Sequence, residues 1–406
     1  MLDMTGSLAE RWTLDPTVTF LNHGSFGACP REVRQAQAEL RASMEREPIT
    51  FLDRELEGRL DDARQALADF LGATSVGLAF VANATTGVNT VLASLSFEPG
   101  DELLTTDHAY NACRNALDAA AKRWGARVVV APVPFPIGDE ERAVEAIVEA
   151  ATARTRLALV DHVTSPTALV LPVARIVREL QGRGVDVLVD GAHAPGMVPL
   201  ALDQLGAAYY TGNCHKWLCA PKGSAFLYVR EDRRAKVHPL VVSHGFNSRR
   251  TDRSRFRLEF DWTGTGDPTP FLSVPVALEA MARMTDRGWR GVMESNRALA
   301  LSARRTLAST VGVPLPCPES MVGSMAALPL PDAPADAAAG IDGVEPIQRA
   351  LFERHRIEVP VSPWPRRPHR ILRVSAQLYN HPEQYRLLAA ALAELLNDER
   401  GPRAAP

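Results

Sequence analysis

Cysteine is scarce and odd in number: Cys29, Cys113, Cys214, Cys219 and Cys317 lie scattered over 406 positions. Five dispersed cysteines make no disulfide framework and fit a reducing compartment, so a cytoplasmic location is expected. No apolar run approaches the roughly 18–20 residues that span a bilayer. The opening MLDMTGSLAERWTLDP lacks the basic segment and apolar core of a secretory leader, so none is expected. Neither sign of charge dominates. With 45 Lys+Arg against 48 Asp+Glu, the net charge of −3 leaves no basic footprint for nucleic acid. No internal repeat is visible. What is present is ordinary for a globular chain, 46% hydrophobic and 23% charged, and long enough for two or three domains.

Short apolar runs alternate with amphipathic stretches from about 77 to 230. The runs at 77–82, 102–105, 127–133, 156–163, 185–189, 207–211 and 224–229 read as strands, several of them apolar on both faces. Helical periodicity at 111–124 and 173–183 falls between them, which predicts an α/β fold with a mostly parallel, doubly wound sheet. Beyond Asp267 the pattern changes: helices at 274–283 and 287–309, a Pro- and Ala-rich segment of loops at 313–340, strands at 357–361 and 371–375, and a last helix at 382–396. In that helix Leu388, Ala391, Leu392 and Leu395 share a core face. The division read from this is an N-terminal segment 1–20 packing on a small domain, a large domain 21–270, a small α+β domain 271–397, and a disordered tail 398–406.

Three pieces carry chemistry. In Val187-Leu-Val-Asp190-Gly-Ala-His193-Ala an apolar strand ends in an acid, at the sheet edge where open α/β sheets bind ligands. A turn or cap aspartate would look the same. In Thr211-Gly-Asn213-Cys214-His215-Lys216-Trp217 a lysine follows a second such strand. Burial would make its amine nucleophilic, whereas a surface lysine would do nothing. In Asn83-Ala84-Thr85-Thr86-Gly87 a strand turns into a helix through small hydroxylated residues; its free N–H groups at Ala84, Thr85 and Thr86 suit a phosphate, or simply a capped helix. Together they match the needs of pyridoxal 5′-phosphate: a phosphate seat, an amine for the aldehyde, and an acid that keeps the ring nitrogen protonated.

These residues resemble aminotransferase class V, the fold-type I group of pyridoxal-phosphate enzymes that includes cysteine desulfurases and isopenicillin N epimerases. The resemblance runs from Leu21-Asn22-His23-Gly-Ser-Phe-Gly to Arg373-Val-Ser-Ala and is nearest the isopenicillin N epimerase-like branch, which also holds C–S lyases acting on cysteine conjugates. It implies a mostly parallel seven-stranded sheet with a smaller α+β C-terminal part, and a homodimer with active sites at the subunit interface. It implies that Lys216 holds the cofactor covalently, that Asp190 pairs with its ring nitrogen, that Tyr110 stacks on its ring, and that His193 lies near its phenolic oxygen. Asn213, His215, Ala84, Thr85 and Thr86 would contact the phosphate, and Thr265 would reach it from the other subunit. Arg373 would clamp the substrate carboxylate, with Asn22 and His23 nearby.

Some positions stand apart from the pattern. Cys214 stands where the family more often has glycine. Residues 358–373 contain no cysteine, which argues against persulfide-forming desulfuration. A metal site from His193, His215, Cys214 and Cys219 is the competing chemistry, although no metal-ligand spacing is present. The loops 22–26, 246–257 and 361–368, with their arginines and Trp364, are the expected pocket walls and would suit a polar or anionic substrate tail. Elimination at Cβ, epimerisation, transamination and decarboxylation all remain open, with elimination from a cysteine S-conjugate preferred. A non-catalytic cofactor-sensing module would need a helix-turn-helix region and a basic patch, and neither is present.

Overall fold

The computed structural model describes residues 8–334 and 343–400. Its centre is a seven-stranded sheet of β1 (Leu78–Val81), β2 (Glu102–Thr106), β3 (Arg127–Ala131), β4 (Thr155–Asp161), β5 (Asp186–Asp190), β6 (Tyr209–Asn213) and β7 (Ala225–Val229). The spatial order is β1-β7-β6-β5-β4-β2-β3. β7 pairs antiparallel with β1 and β6, and the remaining ladders are parallel. Val187, Leu188 and Val189 of β5 are fully buried, because helices cover both faces of a parallel sheet.

The helices are α1 (Arg31–Arg46), α2 (Leu56–Leu71), α3 (Ala84–Ser94), α4 (Asn111–Trp124), α5 (Glu141–Glu149), α6 (Val173–Gln181), α7 (Val274–Ala282), α8 (Gly288–Val311), α9 (Pro346–His355) and α10 (Pro382–Arg400), besides shorter turns. α6 shows how the pattern works: Val173, Ile176, Val177 and Leu180 recur at helical spacing and all point into the core.

A second, antiparallel sheet is built from β8 (Met325–Leu330), β9 (Val361–Pro363) and β10 (Arg370–Ser375), with β10 central. It shares one core with α8 and α10. The segment Thr19–Phe20 pairs parallel with Ile357–Glu358, tying the start of the chain to this region.

The second sheet corrects the sequence reading in three places. The Pro- and Ala-rich stretch expected as loops contains β8, whose weak strand propensity is overridden by a six-residue ladder with β10 and by packing on α8. The expected strand at 357–361 is two strands, split at Pro360, which lacks the N–H a ladder needs. The last helix extends through Arg400, so the first three residues of the expected tail are helical. The rest of that tail lies outside the described residues, as does 335–342 of the expected loop segment.

Candidate active site

Parallel strands align their carboxyl ends along one edge of the sheet, and the chemistry gathers there. Asp161 ends β4, Asp190 ends β5 and Asn213 ends β6, while Tyr110 follows β2 and α3 follows β1. They surround a cavity of about 650 Å³, whose walls include Tyr110, Asp161, Asp190, His193, His215 and Lys216. Lys216 leaves the end of β6 in a turn against the segment around Gly27. At Gly27, φ is +70° and a Cβ would lie 2.0 Å from the His215 carbonyl oxygen, so only glycine lets the two segments touch.

Burial and the nearby Arg373 cation lower Lys216 to about 8. Its Nζ lies 3.2 Å from His193 Nε2. On the other side of that ring, Trp217 Nε1–H donates to Nδ1 at 3.4 Å. Burial, then Lys216 and Arg373, hold His193 well below the usual histidine value. The neutral ring with Nδ1 accepting keeps its proton on Nε2, facing the lysine. Above about pH 8 Lys216 is a free amine and below it an ammonium, so capture of added pyridoxal phosphate by the cofactor-free protein should accelerate about tenfold per pH unit up to about 8 and then level off. Stopped-flow absorbance measures this, and a rate independent of pH from 6 to 9 would remove the lysine assignment.

Asp190 is fixed from two sides: Oδ1 accepts from Ala192 N–H at 3.0 Å, and Oδ2 accepts from the Cys113 thiol at 3.1 Å. Burial and the adjacent Asp190 push the Cys113 thiol far up, so it remains a donor. Asp161 lies in register with Asp190 across the β4/β5 ladder. Burial, then the Asp190 charge, hold the Asp161 carboxyl well above the usual carboxylate range.

The native Asp161 carboxyl therefore binds a proton that the unfolded chain, near 3.9, releases. This group's contribution to stability must fall as pH rises above about 4 toward its raised native value. Asp161→Asn, which mimics the protonated form, should equal or exceed the parent in melting temperature at neutral pH, with the difference growing as pH rises. A steady loss of stability in that variant would mean Asp161 is ionised in the native state.

At the start of α3, Asn83 caps the helix by accepting from Thr86 N–H at 2.8 Å, and Asn213 Oδ1 accepts from Ala84 N–H at 2.8 Å. The capping reading of this segment therefore holds. Thr85 and Thr86 also line the cavity, so the same helix end faces it. Gly87 is required by packing, since a Cβ there would lie 2.1 Å from the Thr211 hydroxyl. His215 Nδ1–H donates to the Ser224 carbonyl at 3.0 Å, and burial lowers the ring to about 4.

Arg373 comes from β10 and is buried. Nη1 donates to the Ser165 carbonyl at 2.6 Å and Nη2 to Ser25 Oγ at 3.0 Å. Nε has no partner, and burial lowers the guanidinium to about 10.

Asn22 and His23 are not among the described residues lining the cavity. Asn22 accepts from Ser25 Oγ–H at 2.6 Å and so positions the serine that holds Arg373. His23 is fully buried and lowered to about 3. Its Nε2–H donates to the Lys216 carbonyl at 3.1 Å, and Tyr379 O–H donates to Nδ1 at 2.9 Å. Both residues shape the site from behind. Thr265 lies away from the cavity of its own chain and lines a separate one with Ile49, Leu52 and Trp262. The arginines of 246–257 are absent from the cavity's described lining: Arg250, Arg253 and Arg257 pair with Glu57 and Asp61, and Arg255 donates to the Gly245 and Ser248 carbonyls. Cys214 is buried in the main core. Among the described residues, no three His, Cys, Asp or Glu side chains gather as metal ligands.

The family model described as aminotransferase class-V matches residues 29–328. The chain belongs to that family. It is 38% identical to an isopenicillin N epimerase of Amycolatopsis lactamdurans over 95% of this chain and 97% of that protein. The epimerase of Streptomyces clavuligerus is 36% identical over 96% and 97%. A probable chloroplastic L-cysteine desulfhydrase of Arabidopsis thaliana is 31% identical over 95% and 84%. Among solved structures, the cystine C–S lyase C-DES with its product cysteine persulfide aligns with a TM-score of 0.78 at 23% identity, over 93% of this chain and 98% of that one. The cysteine desulfurase CsdA of Escherichia coli aligns at 0.75 and 21% identity, over 96% and 97%. Both show the fold, which is that of fold-type I pyridoxal-phosphate enzymes.

The protein is accordingly a pyridoxal-phosphate-dependent enzyme. The cavity fits the cofactor: its volume is within the usual range of about 300–1,000 Å³ for such sites, and it presents an acid, an amine and a helix N-terminus on separate walls.

Sequence reasoning missed Asp161, Cys113 and Ser165, and it placed Ser25 in an expected pocket loop without a role. Asp161 had a usable signal, an apolar strand ending in an acid as at Asp190. Cys113 and Ser165 are marked by nothing local, because their partners lie 77 and 208 positions away, and the Arg373 that Ser25 meets lies 348 away.

Proposed function

We propose that this enzyme is a β-eliminating C–S lyase acting on a cysteine S-conjugate. The observation carrying this reading is the space beyond Arg373. A further cavity of about 530 Å³ adjoins the cofactor cavity along Ser25, Tyr110 and Ser165, leaving room for a substituent on Cβ. Among the described residues no cysteine lines either cavity, so a departing sulfur meets no protein thiol there and leaves as a free thiol.

Bound pyridoxal phosphate supplies an electron sink for charge developing at Cα. The chain's own groups do the rest. Arg373 holds the substrate carboxylate through the fork that Ser25 and Ser165 orient, and its free Nε–H adds a third donor. Asp190 keeps the ring nitrogen cationic, with Cys113 and Ala192 fixing its direction. Lys216, with its lowered proton affinity, is the base that takes the Cα proton. The Cβ–S bond then breaks with its electron pair going to sulfur, which takes up a proton. The three-carbon remainder consumes water and ends as pyruvate and ammonia. With the cofactor bound, His193 would face its phenolic oxygen, Thr85, Thr86, Asn213 and His215 would hold its phosphate, and Tyr110 would cover its ring; all six line the cavity.

The test is pyruvate release from S-substituted L-cysteines, coupled to a dehydrogenase. Catalytic pyruvate supports elimination, and inversion at Cα without pyruvate would replace it with epimerisation. Epimerisation is the second reading because the two epimerases match at higher identity than the desulfhydrases.

A homodimer belongs to the same proposal. Phe26, Leu240, Val241, Val242 and Phe246 are exposed large apolar residues, Phe26 at 74%, and Phe26 and Leu240 rim the cofactor cavity. Thr265 on its separate cavity suits a residue that serves the neighbouring subunit. Sedimentation at micromolar concentration should give twice the 44.1 kDa chain mass. A cytoplasmic location is in keeping with five free cysteines and with no described helix long and apolar enough to cross a membrane.

A further inference from the structure

The cavity beyond Arg373 has a composition that its size alone does not require. Its walls include Tyr110, Asn111, Ser362, Pro363, Trp364 and Pro365, and among its described lining residues Arg373 is the one that carries a charge. That charge is committed if Arg373 holds the α-carboxylate. Of the arginines expected here from the sequence, Arg367 pairs with Glu345, and Arg250, Arg253 and Arg257 pair with Glu57 and Asp61, while Arg249, Arg255 and Arg366 are absent from the cavity's described lining. A substrate side chain entering this space meets aromatic and proline faces with neutral hydroxyl and amide groups. It finds no counter-ion. A charged side chain would lose hydration without a compensating partner.

Trp364 is held in place from behind. Its ring meets the buried His108 edge-on with centroids 4.6 Å apart, and its backbone N–H donates to the His369 carbonyl at 3.0 Å. His108 is itself fixed between Thr167 Oγ1 at 2.7 Å and the Val133 carbonyl at 2.9 Å. An indole braced in this way is a preformed face for a planar or bulky apolar group. The CH₂–SH of free cysteine would leave most of the 530 Å³ filled with water.

We propose that this pocket selects an uncharged aromatic or bulky apolar substituent, so that the substrates are neutral S-aryl- or S-aralkyl-L-cysteines rather than cysteine itself or conjugates with an anionic tail. The proposal rests on the reading above that Arg373 takes the α-carboxylate of an amino-acid substrate.

The experiment titrates the cofactor-loaded enzyme with S-benzyl-L-cysteine, S-carboxymethyl-L-cysteine and L-cysteine, and with L-phenylalanine, L-glutamate and L-alanine as probes lacking a sulfur leaving group. Half-saturation is read from the cofactor's visible absorption. S-benzyl-L-cysteine should saturate at a concentration at least tenfold lower than S-carboxymethyl-L-cysteine or L-cysteine, and phenylalanine tenfold lower than glutamate, about the discrimination a desolvated apolar contact gives. In Trp364→Ala the aromatic advantage should fall by about 2- to 12-fold, with partial return in Trp364→Phe. Equal affinities, or tighter binding of the anionic probes, overturn the proposal while leaving the lyase reading intact. If no amino acid changes the spectrum, or if Arg373→Ala binds every probe as the parent does, the underlying reading fails and the proposal falls with it.

Discussion

Lys216→Ala should show no borohydride-sensitive violet absorption band after incubation with pyridoxal phosphate, and turnover of any amino acid should be lost by at least about 10²–10⁴-fold, the worth of a positioned base. The loss should be large because one amine has two tasks. It anchors the cofactor, and with its proton affinity lowered to about 8 it is the base nearest the reacting carbon in the proposed mechanism. Among the described lining residues, His193 and His215 are lowered by burial and have no covalent role toward an aldehyde, and burial and the Asp190 charge disfavour the ionised form of Asp161. The fold should survive, since Lys216 makes a single side-chain hydrogen bond, to His193. Spectra before and after borohydride, with circular dichroism as the folding control, decide the matter. A variant that keeps both band and turnover would sink the assignment.

Arg373→Ala should lower kcat/KM by about 10- to 150-fold, the equivalent of about 1.5–3 kcal/mol for a charge-assisted contact. The loss should appear in KM as weakened carboxylate binding and in kcat as misorientation of the Cα–H bond. Arg373→Lys should recover little, because the ammonium cannot reproduce the fork that meets Ser25 and Ser165 while presenting Nε to a ligand. Substrate amides lacking the α-carboxylate give the complementary control, since they should react equally slowly with the parent and both variants. An unchanged KM in Arg373→Ala removes the clamp role.

The large sheet was legible because its strands are short, apolar and separated by periodic helices, and each strand end could be placed on one edge without knowing its neighbours. β8 was not legible, because Ala and Pro in a strand resemble a loop until β10 is laid beside them. The same distinction runs through the site. Lys216, Asp190, Thr85 and Thr86 could be named from the residues around them, since each follows a readable strand. Asn22 and His23 show that nearness in a motif does not say which way a side chain faces. Asn22 turns to Ser25 and His23 to the Lys216 carbonyl, both behind the wall of the cavity.

The residues themselves determined the class of chemistry, because an amine, an acid and a phosphate-binding helix start on successive strand ends answer to one cofactor. Tertiary structure decided the rest. The β4/β5 register set Asp161 beside Asp190, where burial and that neighbouring charge hold the Asp161 carboxyl well above the usual carboxylate range. Arg373 gained its serine mounts from segments 348 and 208 positions away. Ion pairs of the outer loops withdrew Arg250, Arg253 and Arg257, which the sequence seemed to offer a substrate. Periodicity and motif encode how a residue relates to its own strand or helix. Which element ends meet, and which charges are already taken, follows only from packing.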